Sequence, residues 1–360
     1  MSQNFCIIMA GGVGTRFWPV SRTNTPKQFL DFFGTGRSLL QMTFDRFQNV
    51  IPAENIYIVS NLMYKETILE QLPELKENQI LSEPHRRNTA PCIAYAINRI
   101  KAITPKANIV VAPSDHLIVK ENEFTAILLR ALEFVDKNNS LLTLGIKPNR
   151  PETGYGYIQV QEGGGDSGLY KAKTFTEKPD LELAKVFLET GEFYWNSGMF
   201  IWNLDTILQA YELLLPDIFH KFDLGADLYN TDKEQDFINE VYATCTNVSI
   251  DFGIMEKADN VFVLTADIGW TDLGTWGSLY EMSEKDEHAN VSFNTKTLFY
   301  NSHENIVLMP EGKLAVIDGL EGYLVAESDN VLLICKKDQE AKIRQFVNDV
   351  AVSFENEDFL

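Results

Sequence analysis

The segment Met9-Ala-Gly-Gly-Val-Gly-Thr-Arg-Phe-Trp-Pro-Val-Ser-Arg-Thr-Asn-Thr-Pro-Lys-Gln28 combines three glycines with three cations and contains no acid. The whole chain carries 31 Lys and Arg against 51 Asp and Glu, a net charge of −20. Residues 1–30 are thus a local positive patch in an acidic protein. Gly11, Gly12 and Gly14 lack Cβ atoms and let backbone N–H groups turn toward the oxygens of a polyphosphate. Arg16 and Lys27 can then neutralise it, with Arg22 as the third cation of the patch. GxxxxGK[ST] is absent, and Phe17 stands where a dinucleotide fingerprint needs its third glycine. The glycines alone would suit equally a tight strand-to-helix turn with surface cations.

Other residues could complete such a site. Asp115 follows an apolar run, and Asp272 lies between Trp270 and Trp276. A carboxylate in such surroundings is costly unless it meets a cation. Two carboxylates converging on a triphosphate make a Mg²⁺ site, with phosphate oxygens and water filling the octahedron. For Asp115, followed by His116, a helix or turn cap fits as well. Asp267 reads as a structural carboxylate. Lys178 sits between Glu177 and Pro179, and Pro179 fixes the backbone so that Lys178 can meet an anion while Glu177 accepts from hydroxyls. Gly154 and Gly156 would admit a ligand close to the main chain, and the Asn196 amide can both donate and accept. Glu83, between Ile80-Leu81 and Pro84, is a carboxylate that could accept from paired N–H donors of a ligand; it could equally cap the helix starting near Asn88 or pair with Arg86 or Arg87. Arg87 could approach a triphosphate or solvate that helix start. The five histidines show no ligand spacing, and no nucleophile elbow is present.

These residues need a scaffold, and the periodicity supplies one. Phe5–Met9, Asn55–Val59, Asn108–Ala112 and Leu141–Gly145 read as buried strands; Leu39–Phe47, Lys65–Leu72, Ala90–Ile100 and Phe124–Val135 carry apolar residues at helical spacing. The alternation predicts an α/β fold, Rossmann-like, with a mostly parallel mixed sheet. Ligands then belong outside the carboxyl ends of the strands, in the loops after Met9 and Ala112. Beyond Arg150 the pattern is less regular, with strands over Tyr157–Val160, Tyr170–Thr176 and Phe200–Trp202 and helices over Leu181–Leu188, Thr206–Leu214 and Phe237–Ala243. From about Asn290, short β-rich pieces (Ile306–Met309, Leu314–Ile317, Tyr323–Ala326, Val331–Cys335) predict a small C-terminal β-rich module closed by a helix near Gln339–Val350. The expected domains are therefore 1–285, catalytic, and 290–360, which would hold subunits together or brace the first and contribute no catalytic group.

With 360 residues and 45% apolar content, the chain can bury a sizeable core. The charge argues against a nucleic-acid partner or an anionic membrane surface. No apolar run is long enough to span a bilayer, and the N-terminus lacks a signal-peptide pattern. Four scattered cysteines suit reduced thiols in a cytoplasmic protein.

AGGVGTRFWPVSRTNTPKQ resembles the signature of the sugar-nucleotide pyrophosphorylases, and its Phe-Trp-Pro-x-Ser-Arg and Pro-Lys-Gln elements resemble the mannose-1-phosphate guanylyltransferase branch. Glu83–Pro91, Ala112–His116, Glu152–Ile158, Thr176–Pro179, Trp195–Phe200 and Asp267–Trp276 follow in the family's order, so the resemblance covers residues 4–282. It implies GTP and mannose 1-phosphate as substrates, Mg²⁺ as cofactor, and GDP-mannose and pyrophosphate as products. Arg16, Lys27 and Asp115 are the implied catalytic residues, and Asp115 and Asp272 the metal ligands. Gly11, Gly12, Gly14, Thr15, Arg16, Glu83, Asn88, Thr89 and Ser114 would contact nucleotide. Gly154, Tyr155, Gly156, Glu177, Lys178 and Asn196 would contact sugar phosphate. Many relatives fuse a phosphomannose isomerase after this region; the chain ends too early to hold one. Another hexose or heptose 1-phosphate, or a non-catalytic sugar-nucleotide-sensing role, are the alternatives. Open strand edges in the β-rich module make a homodimer the expected assembly.

Overall fold

A computed structural model describes residues 2–12, 14–161, 167–354 and 357–360. The chain divides into two compact units: Met1–Gly11, Thr43–Ser114 and Ile118–Trp270 form the first, and Gly12–Met42, Asp115–Leu117 and Thr271–Leu360 the second.

The first unit is built on strands β1 (Gln3–Met9), β2 (Ile56–Asn61), β3 (Ile80–Glu83), β4 (Ala107–Pro113), β5 (Leu141–Ile146), β6 (Gly156–Val160), β7 (Leu169–Glu177), β8 (Phe193–Asn203) and β9 (Val261–Thr265). They form one sheet in the order β3-β2-β1-β4-β8-β5-β9-β7-β6. The first four strands are parallel. Phe5, Cys6, Ile7 and Ile8 are all buried, so β1 reads as a continuous apolar run with both faces covered. The helix Thr89–Lys101 is buried on all sides from Ala90 to Ile100, where the sequence led one to expect a single buried face, and its apolar side chains join the same core. At the carboxyl ends of the strands, the Ser114 N–H donates to Met9 O (3.0 Å) and the Ala10 N–H to Val59 O (2.8 Å), which sets the loops after β1 and β4 side by side.

Strand β8 runs antiparallel between β4 and β5. It begins at Phe193, well before the expected Phe200, because Phe193, Trp195, Ser197 and Met199 alternate inward while the residues between them are half-buried. A bulge in its pairing with β5 sets Asn196 opposite Gly145. Beyond the short 3₁₀ turns, three helical segments were not legible in the sequence: Pro216–Asp223, a π-helical turn at Asp251–Met255 and, in the second unit, Trp276–Met282.

In the second unit, 3₁₀ turns at Thr15–Phe17 and Lys27–Phe29 flank the anion loop. Val291–Phe293, Ile306–Leu308 and Tyr323–Ser328 pair in parallel, as do Lys296–Tyr300 and Leu314–Asp318, so the chain climbs in stacked parallel coils before Val331–Lys336 turns back antiparallel. The helix Ile343–Phe354 closes the unit. Phe17, Trp18, Trp276, Ile306, Leu324 and Ile343 share one apolar cluster. That cluster is why the unit joins residues 12–42 and 271–282 to the β-rich module, a partition unlike the sequential boundary expected near 285–290. Among the described residues no helix is long and apolar enough to cross a membrane.

Candidate functional site

The second unit carries a cleft of about 270 Å³ whose walls include Gly14, Thr15, Arg16, Lys27, Asp115 and Asp272. Gly14 has φ +65°, and a Cβ there would come within 2.6 Å of the Lys27 Cβ; the loop closes on Lys27 only because the residue is glycine. Gln28 donates to Gly12 O (3.0 Å) and fixes the other side of the loop. Lys27 is only 3% exposed. Its ammonium donates to Asp115 Oδ2 (2.9 Å), Asp272 O (2.8 Å) and Leu273 O (2.9 Å). An ammonium has three N–H donors, and all three are used. Lys27 therefore ties the Asp115 and Asp272 segments together, where the sequence suggested a cation standing free toward phosphate.

Burial opposes ionisation of Asp115, but the charge and hydrogen bond of the Lys27 ammonium, His116 and a backbone hydrogen bond together outweigh it, so the carboxyl is held below its ordinary range. Asp272 Oδ1 accepts from the Gly274 N–H (2.8 Å), which turns the segment back on itself. Two carboxylates in one cleft are hard oxygen ligands and suit Mg²⁺. Among the described residues no group of three or more His, Cys, Asp or Glu could hold a metal, so phosphate oxygens and water would have to complete its shell. Asp267, by contrast, pairs with Lys120 (2.7 Å) on an exposed surface.

The first unit carries two further clusters. Glu83, 7% exposed at the end of β3, accepts from the Tyr242 hydroxyl at 2.9 Å. Burial pushes its carboxyl up to about 7, against the pull of Tyr242 and Arg86. Its other oxygen faces Gly11, where a Cβ would sit 3.7 Å away. In the second cluster Gly156 faces Glu177; a Cβ there would come within 2.6 Å of the carboxylate. Asn196 accepts from the Thr143 hydroxyl (3.2 Å) and donates to Asp251 Oδ1 (2.7 Å). Lys178, 58% exposed with φ +48°, pairs with Glu177 at 2.8 Å. Burial raises the Asp251 carboxyl, and Glu177 raises it further, against the Asn196 hydrogen bond. Sequence reading missed Asp251. The available signal was an acid inside the apolar run Ile250–Met255.

Several expected contacts have other partners. Asn88 caps the helix Thr89–Lys101 through the Thr89 N–H (2.9 Å), and the Thr89 hydroxyl accepts from Ile250 N (2.8 Å). Arg87 donates to the carbonyls of Tyr242 (3.1 Å) and Ala243 (3.2 Å). Ser114 is buried, its carbonyl accepting from Thr43 (3.2 Å). Tyr155 packs edge-on between Trp195 and Trp270, both at 5.1 Å. The Gly154 N–H donates to Glu152 (3.0 Å). Arg22 leaves the cleft for Ser328 O (2.7 Å) and Asn330 Oδ1 (2.9 Å).

A mostly parallel sheet with a glycine-rich anion loop after its first strand, and a cleft holding paired aspartates, defines an enzyme of nucleotidyl transfer. The chain belongs to the nucleotidyl transferase family, whose model matches residues 5–289. It is 35% identical to a mannose-1-phosphate guanylyltransferase of Escherichia coli over 96% of this chain and 75% of that protein. It is also 35% identical to one from Salmonella montevideo, over 98% and 74% respectively. A crystal structure from Thermus thermophilus, described as a mannose-1-phosphate geranyltransferase, superposes with a TM-score of 0.86 at 28% identity, covering 97% of this chain and 99% of that one.

Proposed function

We propose that the chain transfers GMP from GTP to mannose 1-phosphate, forming GDP-mannose and releasing pyrophosphate. The observation that carries this reading is the cleft in which the glycine loop, Arg16, Lys27, Asp115 and Asp272 meet, in a chain similar over most of its length to named guanylyltransferases. A phosphate oxygen of the sugar phosphate attacks the α-phosphorus of GTP in line; the P–O bond to the β-phosphate breaks, and its electron pair leaves with pyrophosphate. The nucleophile is already an anion, so no general base is required. Positioning two repelling anions and stabilising transition-state charge is what the side chains must do.

Thr15, Arg16 and the loop N–H groups hold the triphosphate, and Lys27 acts from below by keeping Asp115 ionised and in place. Asp115 and Asp272 would hold Mg²⁺, whose charge on triphosphate oxygens is the chemistry that ion supplies. Lys178 meets the sugar phosphate, while Glu177 and Asn196 read its hydroxyls. Four cysteines scattered through the sequence, too few for a disulfide scaffold of this size, suit a reducing, cytoplasmic setting.

Homodimerisation is supported by an apolar outer face on the β-rich module. Leu298 pairs with Val316 and Lys296 with Leu314 in parallel register, and the three apolar side chains are exposed together. Sedimentation as a monomer at micromolar concentration would remove the dimer and leave the chemistry standing. The reaction itself is tested by pyrophosphate release over a matrix of nucleoside triphosphates and sugar 1-phosphates. GTP with mannose 1-phosphate should be the best pair by kcat/KM, and a better pair elsewhere in the matrix overturns the assignment.

A further inference from the structure

The triphosphate cleft has a wall that the glycine loop does not supply. The helix Ile343–Phe354 packs against the Thr15–Phe17 turn. Ile343 at its start is fully buried in the cluster that holds Phe17 and Trp276. The next residue, Arg344, is thereby placed on the cleft, beside Arg16, Asp115 and Asp272. The turn and the C-terminal segment are bound to each other elsewhere as well. The Trp18 indole donates to Phe359 O (2.7 Å), the Thr23 N–H to Leu360 O (3.3 Å), and Arg22 to the carbonyls of Ser328 and Asp358. On the far side, Glu340 accepts from the Gly277 N–H (3.0 Å), which holds the helix entrance against the segment that carries Asp272.

The cations of the cleft differ in what they have left to give. Lys27 has spent its donors within the protein. Arg16 donates weakly to Gly274 O at 3.4 Å. The exposed Arg344 guanidinium makes no hydrogen bond or ion pair among the described residues. A planar fork of five N–H donors matches phosphate oxygens two at a time.

We propose that Arg344 binds the pyrophosphate portion of the triphosphate, so that the C-terminal module supplies a substrate-binding group as well as bracing the loop. The inference rests on reading this cleft as the triphosphate site. It assigns Arg344 to the β- and γ-phosphates because they carry most of the triphosphate's charge and depart together as the leaving group.

The test compares Arg344→Ala and Arg344→Lys with the wild type. In Arg344→Ala, the KM for GTP and, in the reverse direction, for pyrophosphate should rise about tenfold or more, while the KM for mannose 1-phosphate and for GDP-mannose stays within twofold. Arg344→Lys should recover part of the loss, since a point charge replaces the fork. Calorimetric titration with inorganic pyrophosphate and Mg²⁺ reads the same contact without turnover and should weaken in parallel. Because the side chain is exposed, the melting temperature should not move. Unchanged pyrophosphate binding, or a rise confined to the sugar-phosphate KM, overturns the proposal. A wild type that binds pyrophosphate through Arg344 yet turns over no substrate pair would sink the guanylyltransferase reading and leave Arg344 in place.

Discussion

Glu83→Gln separates two properties of a single buried carboxyl. The side chain is 7% exposed, and burial pushes its pKa from an ordinary 4.5 to about 7. Ionising it in the folded protein therefore costs about 3 kcal/mol more than in the unfolded chain. The folded pKa is the higher one, so the group's stabilising contribution is complete below about pH 4.5, is lost as pH rises toward 7, and is absent above it. Glutamine has no such titration and retains an oxygen to accept from Tyr242. The variant should gain on the wild type by about 2–3 kcal/mol between pH 5 and pH 8 in urea unfolding, whatever constant offset the substitution brings. A stability difference that is the same at both pH values refutes the reasoning, because the carboxyl would then be ionised throughout. The second property is base selection. A carboxylate suits guanine's paired donors and an amide does not, so the variant should narrow the kcat/KM preference for GTP over UTP by about tenfold, or ~1.4 kcal/mol. Wild-type KM for GTP should also fall as pH rises through 7. If stability titrates as described while the nucleotide ratio stays put, Glu83 is a structural acid and guanine is read elsewhere.

Three further outcomes follow from the geometry. Asp115→Asn and Asp272→Asn should each lower turnover by at least ~100-fold with the fold intact, and rates within a few-fold of wild type for both would remove the metal assignment. Lys178→Ala should chiefly raise the KM for mannose 1-phosphate, since the exposed ammonium meets that substrate's charge before reaction; an unchanged KM takes Lys178 out of the site. Lys27→Met should cost about 2–3 kcal/mol in chemical denaturation as well as activity, because it strands the Asp115 carboxylate and two carbonyls, and a variant of wild-type stability would contradict the buried triple contact.

How much of this was legible in the sequence depended on the kind of signal. Runs buried on both faces, such as Phe5–Ile8, and helices with one apolar stripe, such as Glu121–Lys137, where Phe124, Leu128, Ala131, Leu132 and Val135 are buried, show their periods directly, so the parallel half of the sheet and its loops could be read. The start of β8 could not, because Trp195-Asn-Ser-Gly-Met is half polar and its alternation shows only when the sheet covers one face. After Asn290 four of the strands were visible, Val291–Phe293 and Lys296–Tyr300 were not, and none could be read as parallel neighbours, since pairings such as Leu298 with Val316 are tertiary. The Asp251 turn is π-helical and offers no period to count.

Site residues were legible as types and not as partners. The acid-free stretch from Met9 to Gln28 announced a cationic loop, yet two of its three cations are engaged within the protein, Lys27 beneath Asp115 and Arg22 with the C-terminal segment. Their hydrogen bonds are spent, but their charges are not. A buried ammonium bound to one carboxylate and two neutral carbonyls still contributes its field to the adjacent cleft, and the field acts at a distance that hydrogen bonds do not. The same contacts fix where Asp115 and the loop stand before any ligand arrives, which is the preorganisation that transition-state stabilisation requires. Composition can therefore reveal the sign of the cleft, while the division between cations that shape it and cations left to touch phosphate depends on donors that only the fold can count. Arg344, more than 300 residues beyond the loop, lies outside any local motif and becomes part of the cleft because Ile343 is buried beside Phe17.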